Sequence, residues 1–172
     1  MLTLSHMRLL LVRHAESLAS AHNLPTGNDD CPGLTPRGFE QARELARRLD
    51  VRPDVLVASP VTRARQTADE LIAALRPART EIDADLVEFD GDAETWDSFL
   101  SRVDNVLGTW PARYADQTVL AVTHGGFMVW VFVKLFGVPR PGTGARVDFD
   151  FAAVTEWEFS GGWRLVSLNV TP

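Results

Sequence analysis

The stretch LLLVRHAES, residues 9–17, places an arginine, a histidine and a glutamate directly behind a run of four apolar residues. Such a run predicts a strand buried on both faces, which we place at residues 8–12. In open parallel sheets, ligands bind in the crevice beyond the carboxyl ends of the strands. The stretch therefore predicts a strand that anchors an α/β sheet and presents Arg13 and His14 to a binding site.

The bulk composition is that of a globular protein with an acidic balance. A length of 172 residues is enough for one domain with a substantial core, and we expect a single domain over residues 1–172. Hydrophobic residues make up 45% and charged residues 23% of the chain, which indicates neither disorder nor a fibrous fold. The net charge of -6 argues against nucleic acid or an anionic membrane as a partner, because either would require a basic surface.

The chain has one cysteine, Cys31, which excludes an intrachain disulfide and a cysteine-based metal cluster. No apolar segment near the N-terminus is long enough for a secretory signal or a membrane span. We therefore expect a cytoplasmic protein. The sequence leaves a monomer and a homodimer equally open.

Short apolar runs alternate with helical patterns along most of the chain. Thr35 and Pro36 predict the start of a helix over residues 36–49, and Ser59 and Pro60 predict the start of another that ends at residue 75, with a strand at residues 55–58 between them. A strand, a helix, a strand and a helix are then predicted, in that order, at residues 80–82, 94–110, 119–122 and 123–137. The last helix is apolar nearly all round and is expected to be buried.

The C-terminal part of the chain is rich in β-forming residues. VDFDFAAV (147–154), TEWEF (155–159) and WRLVSLNV (163–170) predict strands, and residues 160–162 predict a hairpin turn between the last two. Together with the alternation upstream, this pattern predicts a three-layer α/β/α sandwich with a mainly parallel central sheet and an antiparallel edge.

Residues able to do chemistry follow three of the predicted strands. Because the carboxyl ends of parallel strands meet at one edge of a sheet, we expect these residues to converge. They are Arg13 and His14 after the first strand, Ser59 and Arg63 after the second, and His124, Gly125 and Gly126 after the fourth.

This combination suits a phosphoryl group. Guanidinium groups bind phosphate oxygens in a bidentate manner, and glycines let the backbone N–H groups at a helix start approach a phosphate closely. A neutral imidazole can attack phosphorus as a nucleophile, and neighbouring arginines disfavour its protonated form. The leaving oxygen of a phosphate ester also needs a proton donor. Glu88, in DADLVEFDGD after the third predicted strand, is a candidate, and the residues alone leave Asp83, Asp85, Asp90 and Asp92 open as alternatives.

Five motifs occur in the order and spacing of one known family. They are LLLVRHAES, LTPRGFEQA, ASPVTRARQTA, LVEFDGD and VLAVTHGG. The sequence therefore resembles the histidine phosphatase superfamily, also called the phosphoglycerate mutase-like family, from Arg8 to the closing hairpin. The resemblance implies the phosphoglycerate mutase-like fold.

The resemblance also implies a role for each matching residue. His14 would carry a transient phosphohistidine, with Arg13, Arg63 and His124 as its catalytic partners. Glu88 would donate the proton to the leaving group, because it follows the usual LxE context. No metal ion or other cofactor would be required. The residues that would bind the phosphate are Arg13, Ser17, Arg63, His124 and Gly125.

Two positions depart from the family pattern. Ala15 replaces the glycine of the usual RHGE motif, and FDGDAETWDSF replaces the frequent WEG after the acid. Mutases of the family are generally longer, with inserted basic segments that close over the substrate. Between Glu88 and Arg102 this chain offers mainly acidic and apolar residues.

We therefore predict a phosphatase acting on small phosphorylated metabolites. The alternatives are a phosphoglycerate mutase-type phosphotransferase, a phosphohistidine or phosphoprotein phosphatase, and a non-catalytic phospholigand-binding domain. Substrate specificity is expected to lie in residues 18–34, which include His22, and in residues 89–99, which include Phe89 and Trp96.

Overall fold

The computed structural model describes residues 6–24, 27–138 and 147–171, and six strands within these ranges form one sheet. The strands are β1 (His6–Arg13), β2 (Val55–Ala58), β3 (Arg79–Ile82), β4 (Thr118–Thr123), β5 (Val154–Ser160) and β6 (Trp163–Val170). Their spatial order is β3-β2-β4-β1-β5-β6. The first four strands in this order are mutually parallel, whereas β5 and β6 continue the sheet in antiparallel fashion. The predicted mainly parallel sheet with an antiparallel edge is confirmed.

The register aligns the carboxyl ends of the central strands. Arg13, the last residue of β1, lies opposite Thr123 of β4, and Ala58, the last residue of β2, lies opposite Val122. The residues that follow these strands therefore leave the sheet side by side.

Five helices are present in the described part of the chain, and most begin where local signals predict. They are α1 (Leu18–His22), α2 (Pro36–Arg48), α3 (Thr62–Leu75), α4 (Trp96–Arg113) and α5 (Gly125–Phe136). At the start of α2, the Thr35 hydroxyl accepts a hydrogen bond from the Gly38 backbone N–H, which satisfies a donor that the first helical turn leaves unpaired.

Helices cover both faces of the sheet, as the pleat of the strands requires. Leu10 and Val12 of β1 pack with α2 and α3, whereas Leu9 and Leu11 pack with α4 and α5 on the opposite face. Each fully buried leucine contributes about 1.5–3 kcal/mol relative to leaving it exposed, so both layers hold β1 in place. No helix in the described ranges is long and apolar enough to cross a membrane.

Three local expectations are wrong. Ser59 does not cap α3, because Val61 is the N-cap residue and the Ser59 hydroxyl contacts His124 instead. Residues 147–153 form no strand, and the backbone turns at Ala152, where φ is 56°. The helix α5 is only partly buried: Phe127, Met128, Val131 and Val133 are buried, most of its other residues are partly exposed, and Phe136 at its C-terminus is 53% exposed.

Candidate active site

A cavity of about 440 Å³ opens at the carboxyl ends of β1, β2 and β4. The sheet register and short backbone hydrogen bonds hold its floor, since His14 N donates to the Thr123 carbonyl at 2.9 Å and Ser59 N donates to the Val122 carbonyl at 3.0 Å. Six of the predicted site residues line this cavity, and His124 is buried beside it against His14. The six are Arg13, His14, Ser17, Arg63, Glu88 and Gly125.

His14 presents an unprotonated ring nitrogen next to the cavity. Its Nδ1 donates to the Ala15 carbonyl at 2.8 Å, and Arg63 Nε donates to its Nε2 at 3.1 Å. Only 4% of His14 is exposed, and burial, together with the positive charge of Arg63, lowers the pKa of its imidazole to about 3. The ring is therefore neutral at physiological pH, with the lone pair on Nε2.

His124 lies against His14, with the ring centroids 5.1 Å apart. Its Nε2 is 2.9 Å from the Ser59 hydroxyl, while its Nδ1 is buried and has no hydrogen-bond partner among the described residues. Burial lowers the pKa of His124 well below its usual value, and the neighbouring His14 and Arg63 add to the effect. A buried polar nitrogen without a partner requires an explanation, and a bound ligand atom would supply one.

Arg13 is fixed by residues 149–151, which lie just before β5. Its Nη1 donates to the Phe149 carbonyl, and its guanidinium carbon lies 3.9 Å from the centre of the Phe151 ring. Its buried Nε has no partner in the described structure. A Cβ on Gly125 would come within 3.2 Å of this atom, so glycine leaves the guanidinium room. Burial lowers the pKa of Arg13, against the attraction of Glu88.

The Glu88 carboxylate is held by two backbone donors. Phe89 N donates to its Oε1 at 3.0 Å, and Gly126 N donates to its Oε2 at 2.9 Å. A Cβ on residue 126 would lie 2.3 Å from Oε1, so the carboxylate can approach only because this residue is glycine. The start of α5 and the segment after β3 are thereby joined at the acid.

The other acidic residues that the sequence left open lie elsewhere. Asp83 caps the short turn Ala84–Leu86 and pairs with Arg113, and Asp85 accepts a hydrogen bond from Asn105. Asp90 and Asp92 line a neighbouring cavity rather than the one that contains His14.

Ser17 is fully buried and caps α1. Its hydroxyl accepts a hydrogen bond from Ser20 N at 3.2 Å and lies 2.9 Å from the Ser20 hydroxyl. It also lines the cavity, so a capping role and contact with a ligand are compatible in this position.

Asn28 was missed by sequence reasoning, although it connects two site residues. Its Oδ1 accepts from Arg63 Nη2 at 3.1 Å, its Nδ2 donates to the Glu88 carbonyl at 2.9 Å, and its backbone N–H donates to Asp90 at 3.3 Å. The only available signal was an asparagine in a turn-rich loop, which is typical of turns in general.

Arg102 was also missed. Its Nη1 donates to the carbonyls of Asp85 at 2.7 Å and Val87 at 2.9 Å, and its guanidinium pairs with Glu94. The side chain thus holds both ends of the segment that carries Glu88. An exposed arginine on a predicted helix has the same sequence signature, so the pattern could not reveal it.

The described residues contain no group of three or more histidine, cysteine, aspartate or glutamate side chains placed to hold a metal ion. The donor set of the cavity fits an anion better, because Arg13 and Arg63 would repel a cation.

Comparison with known proteins agrees with this geometry. The family profile described as Histidine phosphatase superfamily (branch 1) matches residues 9–94 and 88–171, which is nearly the whole chain. The chain belongs to the histidine phosphatase superfamily. The resemblance inferred from the sequence motifs is confirmed.

Members of the superfamily with different activities resemble this chain. It is 27% identical to the adenosylcobalamin/alpha-ribazole phosphatase of Escherichia coli over 95% of this chain and 91% of that protein. It is 37% identical to 2,3-bisphosphoglycerate-dependent phosphoglycerate mutase 1 of Arabidopsis thaliana, but over only 54% of this chain and 27% of the mutase.

A solved structure of YhfR from Bacillus stearothermophilus superposes with a TM-score of 0.83 at 20% identity, covering 96% of this chain and 98% of that one, which shows the shared fold. Membership of the superfamily and the phosphatases among the relatives support an enzyme that acts on phosphate groups.

Proposed function

We propose that the protein is a metal-independent phosphatase that hydrolyses phosphomonoesters of small metabolites through a phosphohistidine on His14. The observation that carries the proposal is the neutral His14 imidazole, whose unprotonated Nε2 accepts a hydrogen bond from Arg63 at the edge of a cavity that His14, Arg13 and Arg63 line. A buried neutral imidazole beside guanidinium groups is what nucleophilic attack on a phosphate requires.

In the first step, the substrate phosphoryl group binds between the two guanidinium groups, next to His14 and in front of the buried His124. The backbone N–H of Gly125, at the start of α5, adds a donor at a helix N-terminus. The lone pair of His14 Nε2 forms a bond to phosphorus as the ester P–O bond breaks. Protonated Glu88 gives its proton to the departing oxygen, and a neutral alcohol leaves.

In the second step, Glu88 is a carboxylate and serves as the base. It takes a proton from water, the water oxygen bonds to phosphorus, and the P–N bond breaks. Inorganic phosphate leaves and His14 returns to its neutral form. General acid and base catalysis of this kind contributes typically about 10²–10⁴-fold to the rate.

The decisive experiment combines trapping with product analysis. Protein given a phosphomonoester and quenched in alkali should retain phosphate that acid releases, and His14→Ala should retain none. Release of inorganic phosphate supports a phosphatase, whereas conversion of one phosphoglycerate isomer into another without release supports a mutase. Failure to hydrolyse any member of a broad panel that includes phosphopeptides and phosphohistidine, despite phosphate binding, would support a binding domain.

Glu88→Gln tests the acid separately. Hydrolysis of alkyl phosphates should fall far more than hydrolysis of 4-nitrophenyl phosphate, whose leaving group needs little protonation. Equal losses on both substrates would exclude Glu88 as the leaving-group acid.

We also propose a single domain and a reducing cytoplasmic setting. One buried cysteine, Cys31, and no disulfide among the described residues support the setting. The domain proposal is supported by one sheet that both helical layers share.

A further inference from the structure

A second cavity of about 370 Å³ adjoins the one that contains His14. The two cavities share Leu24, Arg63 and Glu88, so the second opens on the side where the proposed acid lies. A leaving group must project past the acid that protonates it. The second cavity, named here the leaving-group cavity, is therefore where the alcohol portion of a substrate would lie.

The charges in the leaving-group cavity are predominantly negative. Asp90 and Asp92 line it together with Glu88, and Arg63 is its one cationic lining residue in the described structure. Arg63 already contacts His14 and Asn28, and the proposed function commits it to the phosphoryl group. No described cation remains in the lining to pair with an anion on the leaving group.

One wall of the leaving-group cavity is aromatic and well supported. Phe89 lines the cavity and stacks on Trp96, with a centroid distance of 4.0 Å and an interplanar angle of 13°. Phe99, which is fully buried, packs against both rings. This support keeps the Phe89 ring in position as a wall for an apolar group.

Resting on the proposed function, we propose that the leaving-group cavity selects phosphomonoesters whose alcohol portion is neutral or cationic and has an apolar part that lies against Phe89. Esters whose alcohol portion carries a carboxylate or a second phosphate are disfavoured, because that anion would lie beside Asp90 and Asp92. For charges about 7 Å apart in a largely aqueous setting with physiological salt, each carboxylate of the cavity changes kcat/KM for a charged ester by about twofold relative to a neutral ester.

The charge preference is tested with two small esters of primary alcohols, phosphoethanolamine and phosphoglycolate. The measured quantity is the ratio of kcat/KM for phosphoglycolate to that for phosphoethanolamine, in the wild type and in Asp92→Asn. Asparagine has nearly the same shape as aspartate, so the substitution removes only the charge. Asp92 is exposed, so the fold should tolerate the change. The ratio should rise about fourfold in Asp92→Asn, because kcat/KM for the anionic ester should rise about twofold and kcat/KM for the cationic ester should fall about twofold.

Asp97→Asn is the matched control, because Asp97 is an exposed carboxylate in the first turn of α4 and does not line the leaving-group cavity. Its ratio should equal that of the wild type. An unchanged ratio in Asp92→Asn, or a wild-type preference for phosphoglycolate over phosphoethanolamine, would overturn the charge inference while leaving a working phosphatase. No hydrolysis of these esters or of 4-nitrophenyl phosphate would instead refute the proposed function, and the inference with it.

The aromatic wall is tested with Phe89→Leu. The ratio of kcat/KM for benzyl phosphate to that for propyl phosphate should fall about fivefold, as expected for the loss of one aromatic contact. Using a ratio cancels any disturbance of the neighbouring Glu88 that affects both esters alike. An unchanged ratio would show that the leaving group does not contact Phe89.

Discussion

Gly126→Ala is expected to displace the proposed acid without unfolding the protein. The added Cβ would lie 2.3 Å from Glu88 Oε1 and 2.9 Å from its Cδ, whereas ordinary contacts begin at 3.4 Å. The carboxylate must therefore retreat by about 1 Å, and its hydrogen bond from Gly126 N is lost or lengthened. The clash involves the end of a flexible side chain, so the backbone can stay in place.

The expected loss of activity follows from the displacement of the Glu88 carboxylate. Misplacing a catalytic group by about 1 Å costs on the order of 100-fold in rate. We therefore expect kcat for alkyl phosphates to fall by about 30- to 100-fold, while kcat for 4-nitrophenyl phosphate changes by less than about threefold. Stability should hardly suffer, because alanine in a helix is favoured over glycine by about 1 kcal/mol, which offsets the strain.

The assay compares the two substrates in Gly126→Ala and in Gly108→Ala. Gly108 lies in α4, and a Cβ there meets nothing within 4 Å, so the control makes the same chemical change in open space. The control should keep wild-type kinetics, and its free energy of unfolding, measured in urea, should rise by up to about 1 kcal/mol. Wild-type activity of Gly126→Ala toward alkyl phosphates would refute the reasoning, and an equal loss on both substrates would point to damage in the phosphate pocket instead.

Three further predictions concern pH and the two residues that the sequence did not reveal. The pKa values of His14 and His124 are lower in the folded protein than in the unfolded chain, so the unfolded chain binds more protons below about pH 6.5. The free energy of unfolding therefore falls as the pH falls from there toward about 3. Between pH 7 and pH 5, the free energy of unfolding measured in urea should fall by about 2 kcal/mol less in His14→Asn than in the wild type. Asn28→Ala removes the bridge between Arg63 and Glu88, so KM should rise and kcat fall, each by about threefold to tenfold, and wild-type constants would show that the bridge has no positioning role. Arg102→Gln should lower kcat for alkyl phosphates more than for 4-nitrophenyl phosphate, with partial recovery in Arg102→Lys, whereas equal losses would indicate a purely structural role.

The sheet and the main site residues could be predicted because each has a local signal. The apolar run at residues 9–12 predicts a buried strand, and the polar residues just after it predict which end of the strand borders the candidate site; the same holds for β4 and His124. The alternation of strands and helices then determines which ends meet. Geometry that depends on neighbouring strand ends is thus accessible from sequence.

The segment at residues 147–153 shows where local pattern misleads. VDFDF alternates as a strand would, and in the structure Phe149 is buried while Asp148 and Asp150 are exposed. The alternation is real, but it arises because Phe149 joins the core and its carbonyl binds Arg13, without a ladder of strand hydrogen bonds. A burial pattern with period two does not reveal whether the backbone has a partner strand.

The side-chain partners of Asn28 and Ser59 were beyond local reasoning for a different reason. The two side-chain partners of Asn28 are 35 and 60 residues away along the chain, and the partner of the Ser59 hydroxyl is 65 residues away. A hydroxyl or amide side chain with no periodic context has too many possible partners for the sequence to choose among them.

The hydrogen bond from Arg63 to His14 affects the resting protein as well as the reaction. While it persists, the lone pair that would attack phosphorus is occupied by a donor. A phosphate dianion is a stronger acceptor for a guanidinium group than a neutral imidazole is, so a bound substrate draws the donor away. If His14 is the nucleophile as proposed, we expect Arg63 to shield its Nε2 until a phosphate group binds, which would protect this nitrogen from other electrophiles between turnovers.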